Sequence, residues 1–290
     1  MSSSCVFGLR EDGWPRIHAS SGAMALCLLS LLILAFVCAA SPVLAGFQEG
    51  RAAYRAQDFA KALEEFRPAA ERGHAASQYF LGMMHRRGQG VRKDFAQAAQ
   101  WYRKAGEQGH VRAQYWLALM IRRGQGVKKD LAEAFEWYGK AADKGHTAAQ
   151  AFLGYMHAQG LGTKRDFAEA ARWYRKAAEK GHGAAQNNLG YLYDIGKGVG
   201  QNESEARKWY LKAAERGLPM SQRNVGILLS EGRGGPEDLV EGHKWLSLYL
   251  AKRPKEEDVW LLDHYEQRMT YAQIAEAKER AKNWRPKRSR

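Results

Sequence analysis

The sequence predicts an all-α chain wound as a right-handed superhelical solenoid of antiparallel helix pairs, and three observations carry that reading. The sequence repeats itself at a strict period of 36 residues through five gapless copies, and self-similarity at such a period marks a stacked repeat architecture. Three residue types keep step with it: Trp101, Trp137, Trp173, Trp209 and Trp245; Gln78, Gln114, Gln150, Gln186 and Gln222; Gly88, Gly124, Gly160, Gly196 and Gly232. Within each copy apolar residues recur at intervals of three and four, as in Phe95, Ala98, Trp101 and Ala105, and turn residues split the copy into two helices.

The first 45 residues stand apart. Met24–Ala40 is an apolar run broken by Ser30 alone, preceded by Arg10 and Arg16 and followed by Val43, Leu44 and Ala45. That order predicts a secretory signal peptide over 1–45, cut after Ala45. Retained, the same run of 17 residues would be a membrane anchor at the short limit for spanning. A lipoprotein signal at Cys38 fits poorly, because Phe36 and Val37 stand where small residues are wanted. The three cysteines, Cys5, Cys27 and Cys38, all fall in this segment. A chain beginning at Gly46 would therefore rely on packing where many exported domains use disulfides. The expected location is periplasmic or secreted in a bacterial envelope, or anchored there by an uncleaved N-terminal helix.

Residues 46–74 read as an N-terminal capping helix pair, Gln48–Ala56 and Phe59–Arg72, because Asp58, Ala62 and Gly73 stay in register with Asp94, Ala98 and Gly109. Residues 75–252 hold the five repeats. The second helix of each opens at Asp94, Asp130, Asp166, Asn202 or Asp238, side chains suited to accept free backbone N–H groups. Three residues on stand Gln97, Glu133, Glu169, Glu205 and Glu241, the spacing of a capping box. That helix ends at Gly109, Gly145, Gly181 or Gly217, and the first helix ends at Gly-x-Gly pairs running from Gly88/Gly90 to Gly232/Gly234. Small residues at Gly82, Ala118, Gly154, Gly190 and Gly226 would let helix backbones approach. Residues 253–284 read as C-terminal capping helices, Glu256–Met269 and Tyr271–Trp284, the second opened by Thr270 and Gln273. A basic tail, 285–290, is expected to be disordered.

The recurring strings A-x-Q-x-x-L-G, G-x-G-V-x-x-D and A-x-x-W-Y-x-K-A-A-x-x-G-H resemble the Sel1-like repeat family, relatives of the tetratricopeptide class. The likeness runs over about Gly46–Trp284. It implies a helical scaffold of the kind that serves as an adaptor in signalling, envelope assembly or contact with a host.

Chemistry is harder to find. His74, His110, His146 and His182 recur beside the interhelical glycines. Equivalent points on packed helices are at least about 8–10 Å apart, whereas zinc holds nitrogen at about 2.0–2.1 Å. These histidines are expected to make local hydrogen bonds, and no metal or cofactor is expected. The Gly-x-Gly loops extend to neither G-x-G-x-x-G nor a P-loop, and G-x-S-x-G and H-E-x-x-H are both missing. No catalytic residue is assigned and the chain is read as a non-enzyme. An envelope-associated enzyme or enzyme subunit acting on cell-wall material stands as the rival, although the relatives discussed in that role are stapled by paired cysteines.

Two surfaces are candidates for a partner. If the first helices line a concave groove, it would expose Tyr79, Tyr115, Asn187 and Arg223 in one row and Met83, Tyr155 and Tyr191 in another, flanked by Arg86, Trp116, Arg122, Asn188 and Asn224. These types suit a protein or peptide partner. The loops would stack into a basic ridge of Arg87, Arg92, Lys93, Arg123, Lys128, Lys129, Lys164 and Arg165. With 45 basic and 31 acidic residues the net charge is +14, which favours an anionic membrane surface or an acidic protein. Neither nucleic acid nor a small-molecule substrate is expected.

Overall fold

The computed structural model describes residues 44–253 and 256–287, and among them every regular element is a helix. The order is α1 (44–55), α2 (Phe59–Glu71), α3 (Ala75–Arg87), α4 (Phe95–Glu107), α5 (Val111–Arg123), α6 (Leu131–Asp143), α7 (Thr147–Gln159), α8 (Phe167–Glu179), α9 (Gly183–Ile195), α10 (Glu203–Ala214), α11 (Pro219–Ser230), α12 (Leu239–Lys252), α13 (Glu256–Glu266) and α14 (Tyr271–Asn283). From α2 to α12 each helix packs on the one before and the one after it, so the pairs stack into a solenoid. The odd-numbered helices α3 to α11 open the repeats and the even-numbered α4 to α12 close them. Helices α7 and α9 also touch directly, as helices on the inner side of a curved stack do. The expected leader lies outside the described residues except for Leu44 and Ala45, the first residues of α1.

Within a repeat the two helices meet at the small-residue row. A Cβ added to Gly82 would lie 2.7 Å from the Tyr102 ring, and one on Gly190 would lie 2.9 Å from that of Tyr210. The tyrosine therefore lies directly on the backbone of the first helix, and Tyr102, Tyr138 and Tyr210 are almost wholly buried. Around them runs a seam of alanines, Ala98, Ala105, Ala134, Ala141, Ala170 and Ala177, all at 0% exposure. So short a side chain costs no rotamer entropy and lets the helices close up.

Between repeats three kinds of polar joint recur. Each conserved-register glutamine is buried, and its Nε2 donates to a carbonyl at the end of the preceding helix: Gln78 to Ala70 O at 3.0 Å, Gln114 to Gly106 O at 2.9 Å, and Gln150 to Ala142 O and Gln186 to Ala178 O at 3.0 Å. Each of these carbonyls also accepts the backbone N–H of the glycine that ends the turn, Gly73, Gly109, Gly145 or Gly181, and the glutamine adds a donor from the next repeat's helix. The second glycine of each loop lies against the start of the previous repeat's closing helix, where a Cβ on Gly126 would come within 2.2 Å of the Phe95 carbonyl carbon. Lysines at the ends of the closing helices reach back one repeat, Lys144 Nζ to Gly109 O at 3.0 Å and Lys180 Nζ to Gly145 O at 2.8 Å.

The N-caps fall where the sequence puts them: Asp94, Asp130, Asp166, Asn202 and Asp238 each accept from the backbone N–H three residues on. The reciprocal half of the capping box is found at Thr270 and Gln273. In the repeats the acid is turned elsewhere. Glu133 accepts from Trp137 Nε1 at 3.3 Å and pairs with Arg103 at 2.7 Å, and Glu205 accepts from Trp209 Nε1 at 3.1 Å. An indole N–H one turn ahead and a neighbouring cation draw the carboxylate away from the cap.

At the C-terminal end α12 is flanked by α13 and α14. Trp284 packs edge-on against Trp245, centroids 5.7 Å apart. Of the basic tail, residues 288–290 lie outside the described residues; Lys287 N–H donates to Glu215 O at 2.8 Å and its Nζ pairs with Glu215 Oε1 at 2.7 Å.

Candidate interaction surface

The opening helices are set by their caps. His74, His110, His146 and His182 are N-caps whose Nδ1 accepts a backbone N–H three residues on, at 3.2 Å for His110 from Ala113 and for His146 from Ala149. Burial lowers the pKa of all four, and Arg112 lowers those of His110 and His146 further. Two of these rings are also joints between repeats, because Tyr79 stacks on His110 and Tyr115 on His146, at 4.6 and 4.5 Å.

That stacking removes part of the expected groove. Tyr79 and Met83 are each 8% exposed and belong to the core, so they are packing residues where open ones were expected. Tyr115 is half-buried against His146. The same row opens further along: Tyr155 on α7 is 39% exposed and Tyr191 on α9 is 51% exposed. A methionine or leucine fits under the neighbouring helix at this register, and the longer phenol projects past it.

The flanking residues form two different neighbourhoods. In the first two repeats the Arg86 guanidinium lies over Trp116 at 4.0 Å and that of Arg122 over Phe152 at 5.0 Å. In the later repeats amides link up: Ser221 Oγ donates to Asn187 Oδ1 at 2.8 Å, and Asn187 and Asn224 bridge neighbouring repeats with Asn188 alongside. Arg223 is held in an ion pair with Asp258 at 2.8 Å, so it fastens α13 where a free groove cation was expected. Arg233 is likewise occupied, by Asp194, by Glu203 at 2.7 Å and by Glu231 at 3.5 Å. Sequence reading missed these neutralising pairs, whose partners, Glu231 apart, lie about one repeat away.

All eight ridge cations, Arg87, Arg92, Lys93, Arg123, Lys128, Lys129, Lys164 and Arg165, are exposed. Arg87 donates to Tyr54 Oη at 3.1 Å, while Lys93 and Arg165 lie over Phe95 and Phe167.

One constellation invites a catalytic reading. His243 Nε2 lies 2.7 Å from Glu266 Oε1, and its Nδ1 lies 3.2 Å from Ser247 Oγ. A nucleophile and base need a place for substrate between them, and here the imidazole is 0% exposed, with Lys278 on the same glutamate. The arrangement ties α13 to α12. Among the described residues no cluster of His, Cys, Asp and Glu could hold a metal ion, and no helix is long and apolar enough to cross a membrane.

The sequence model of the Sel1 repeat matches residues 75–110, 111–146, 147–182, 183–218 and 219–248. Among solved structures, a protective antigen present in uropathogenic Escherichia coli strains and displaying an SLR fold is 31% identical, with a TM-score of 0.74. The match covers 86% of this chain and 54% of the antigen, so the chain spans about half that protein's length. A Sel1 repeat protein from Oxalobacter formigenes is also 31% identical, with a TM-score of 0.69, over 80% of this chain and 97% of the other. No curated protein matches the sequence.

Proposed function

Because the chain belongs to the Sel1 repeat family, we propose that it is a non-catalytic scaffold of the bacterial cell envelope that holds a protein or an extended peptide segment along its opening helices. Proteins built on this repeat are in general interaction scaffolds rather than catalysts. The observation that carries the reading is the pair Tyr155 and Tyr191, exposed one repeat apart on helices that touch, in a row that is buried at Met83 and Leu119. Tyrosine brings a large, stiff, amphipathic surface to an interface at low entropic cost. The envelope setting is supported by the apolar run Met24–Ala40 with its preceding arginines, and the resemblance to a protein described as a protective antigen is in keeping with export.

The test is affinity capture from envelope extracts, comparing the wild type with Tyr155→Ala/Tyr191→Ala at low and high salt. Both side chains are substantially exposed, so helical content should be unchanged while a salt-resistant protein partner is lost. Equal capture by wild type and variant overturns the groove.

A second reading, attachment to an anionic membrane through the ridge, is favoured by its eight exposed cations. Such attachment should fade as salt screens exposed charge, and binding to anionic vesicles that persists in high salt would remove it.

A further inference from the structure

The two halves of the opening-helix face differ in charge. Helices α3, α5, α7 and α11 contain no Asp or Glu, and α9 contains Asp194 alone, which Arg233 neutralises. Arg223 is neutralised by Asp258. Among the described residues Arg86 and Arg122 have no such partner. Each is half-buried and braced on the aromatic ring of the next repeat, Trp116 or Phe152. Each also faces a tyrosine of its own repeat, Tyr102 for Arg86 and Tyr138 for Arg122. Both phenols are at 0% exposure, each hydroxyl lies within reach of its arginine as donor, and the Nε of each arginine is buried without an acceptor among the described residues.

A guanidinium held flat by a ring on one side and steadied by a buried phenol on the other has already lost much of the freedom that binding would cost. In repeat three the motif is gone: Ala158 replaces the arginine, and Tyr174 faces Asn188.

We propose that Arg86 and Arg122, each braced by an aromatic ring and a buried tyrosine, form two carboxylate sites, one repeat apart, that receive an extended acidic segment of a partner protein. This deepens the scaffold reading and rests on it. Equivalent points on packed helices lie about 8–10 Å apart, and an extended chain in the polyproline II conformation advances about 3.1 Å per residue with three residues to a turn, so carboxylates about three residues apart would lie on one face at a matching distance. Fork geometry favours a carboxylate here, because two parallel N–H groups can meet its two oxygens.

The experiment is fluorescence anisotropy of the full-length chain with a labelled Gly/Ser dodecapeptide carrying two glutamates at positions i and i+3. Controls are the peptide with both glutamates changed to glutamine and one with the glutamates adjacent. Binding should fall at least about tenfold for Arg86→Gln or Arg122→Gln, a loss of about 1.4 kcal/mol, and likewise for both control peptides. Lys128→Gln/Lys129→Gln, which removes equal or greater charge from the exposed ridge, should change it less than about twofold at physiological salt. Thermal melts exclude variants that fail to fold, and Arg122→Lys, which keeps the charge without the fork, should also lose affinity. Absent binding to wild type, equal binding of the glutamine peptide, or an equal loss in the ridge variant overturns the proposal. If capture still depends on Tyr155 and Tyr191 after such a result, the scaffold reading survives and the acidic segment alone is wrong.

Discussion

The ring of His110 lies flat on that of Tyr79, planes 23° apart, while its Nδ1 accepts the Ala113 N–H at 3.2 Å. One side chain thus caps the helix of its own repeat and forms the joint to the repeat before. His146 does the same with Tyr115 and Ala149. A protonated imidazole has no lone pair at Nδ1 and cannot accept there, so the joint requires the neutral ring.

Stability should therefore fall on mild acidification. Burial lowers the folded-state pKa of His74, His110, His146 and His182 below the ordinary 6.5. The unfolded chain then binds more protons, and the contribution of these residues is full above about 6.5 and lost as pH falls through the lowered values. Melting temperature measured from pH 8 to pH 5 should decline below about 6.5. Replacing all four by asparagine, a capping residue that does not titrate, should reduce that slope, the remainder coming from His85 and His157, whose values burial also lowers. The lowered carboxyls of Glu205 and Glu266 add a further loss only below their ordinary value of 4.5.

Two glycine substitutions should move stability in opposite directions. Gly126 has φ +70 and its missing Cβ would collide with the backbone at Phe95, so Gly126→Ala is expected to cost about 2–4 kcal/mol. Gly139 lies within α6 with nothing within 4 Å of an added Cβ. Gly139→Ala should gain about 0.5–1 kcal/mol. Urea unfolding of both variants checks the pair.

Gln150→Leu keeps the volume but removes the side-chain donor to the Ala142 carbonyl, which still accepts from the Gly145 N–H at 2.9 Å. The loss expected in the same assay is about 0.5–1.5 kcal/mol, the net worth of one hydrogen bond. A neutral result would show that the register is held by shape alone.

Arg223→Met should loosen the C-terminal end specifically. Asp258, 5% exposed, would lose the Arg223 cation while keeping the Tyr249 hydroxyl, and the expected cost is about 1–3 kcal/mol, that of a charged hydrogen bond removed from a partly exposed pair. Hydrogen exchange should accelerate first in α13 and α12.

The repeat, the two helices per copy, the N-caps and the glycine turns were all legible in the sequence, because each is fixed by local spacing and backbone chemistry. The partner of a side chain was not. Gln150 announces itself by its period, yet its carbonyl acceptor lies across a turn in the previous helix. Tyr79 and Tyr155 look like alternative occupants of one wall, but the first leans onto a histidine 31 residues away and the second stays 39% exposed. Arg223 reads as a groove cation until α13 brings Asp258 to it. Pairings of this sort depend on how one repeat settles on the next, and periodicity does not encode it.

Reach along the chain is nearly uniform in this molecule. The lysine links Lys144 to Gly109, Lys180 to Gly145 and Lys252 to Gly217 each span 35 residues, whereas Lys287 to Glu215 spans 72. Contacts of short and constant separation give a low contact order, for which rapid folding spreading from any nucleated neighbour pair is the physical expectation. The long tie at Lys287 makes the two ends unequal under tension. A chain pulled from both termini would shed its first repeats in even steps, while the last ones, clasped by Trp284 and Lys287, would yield late and together.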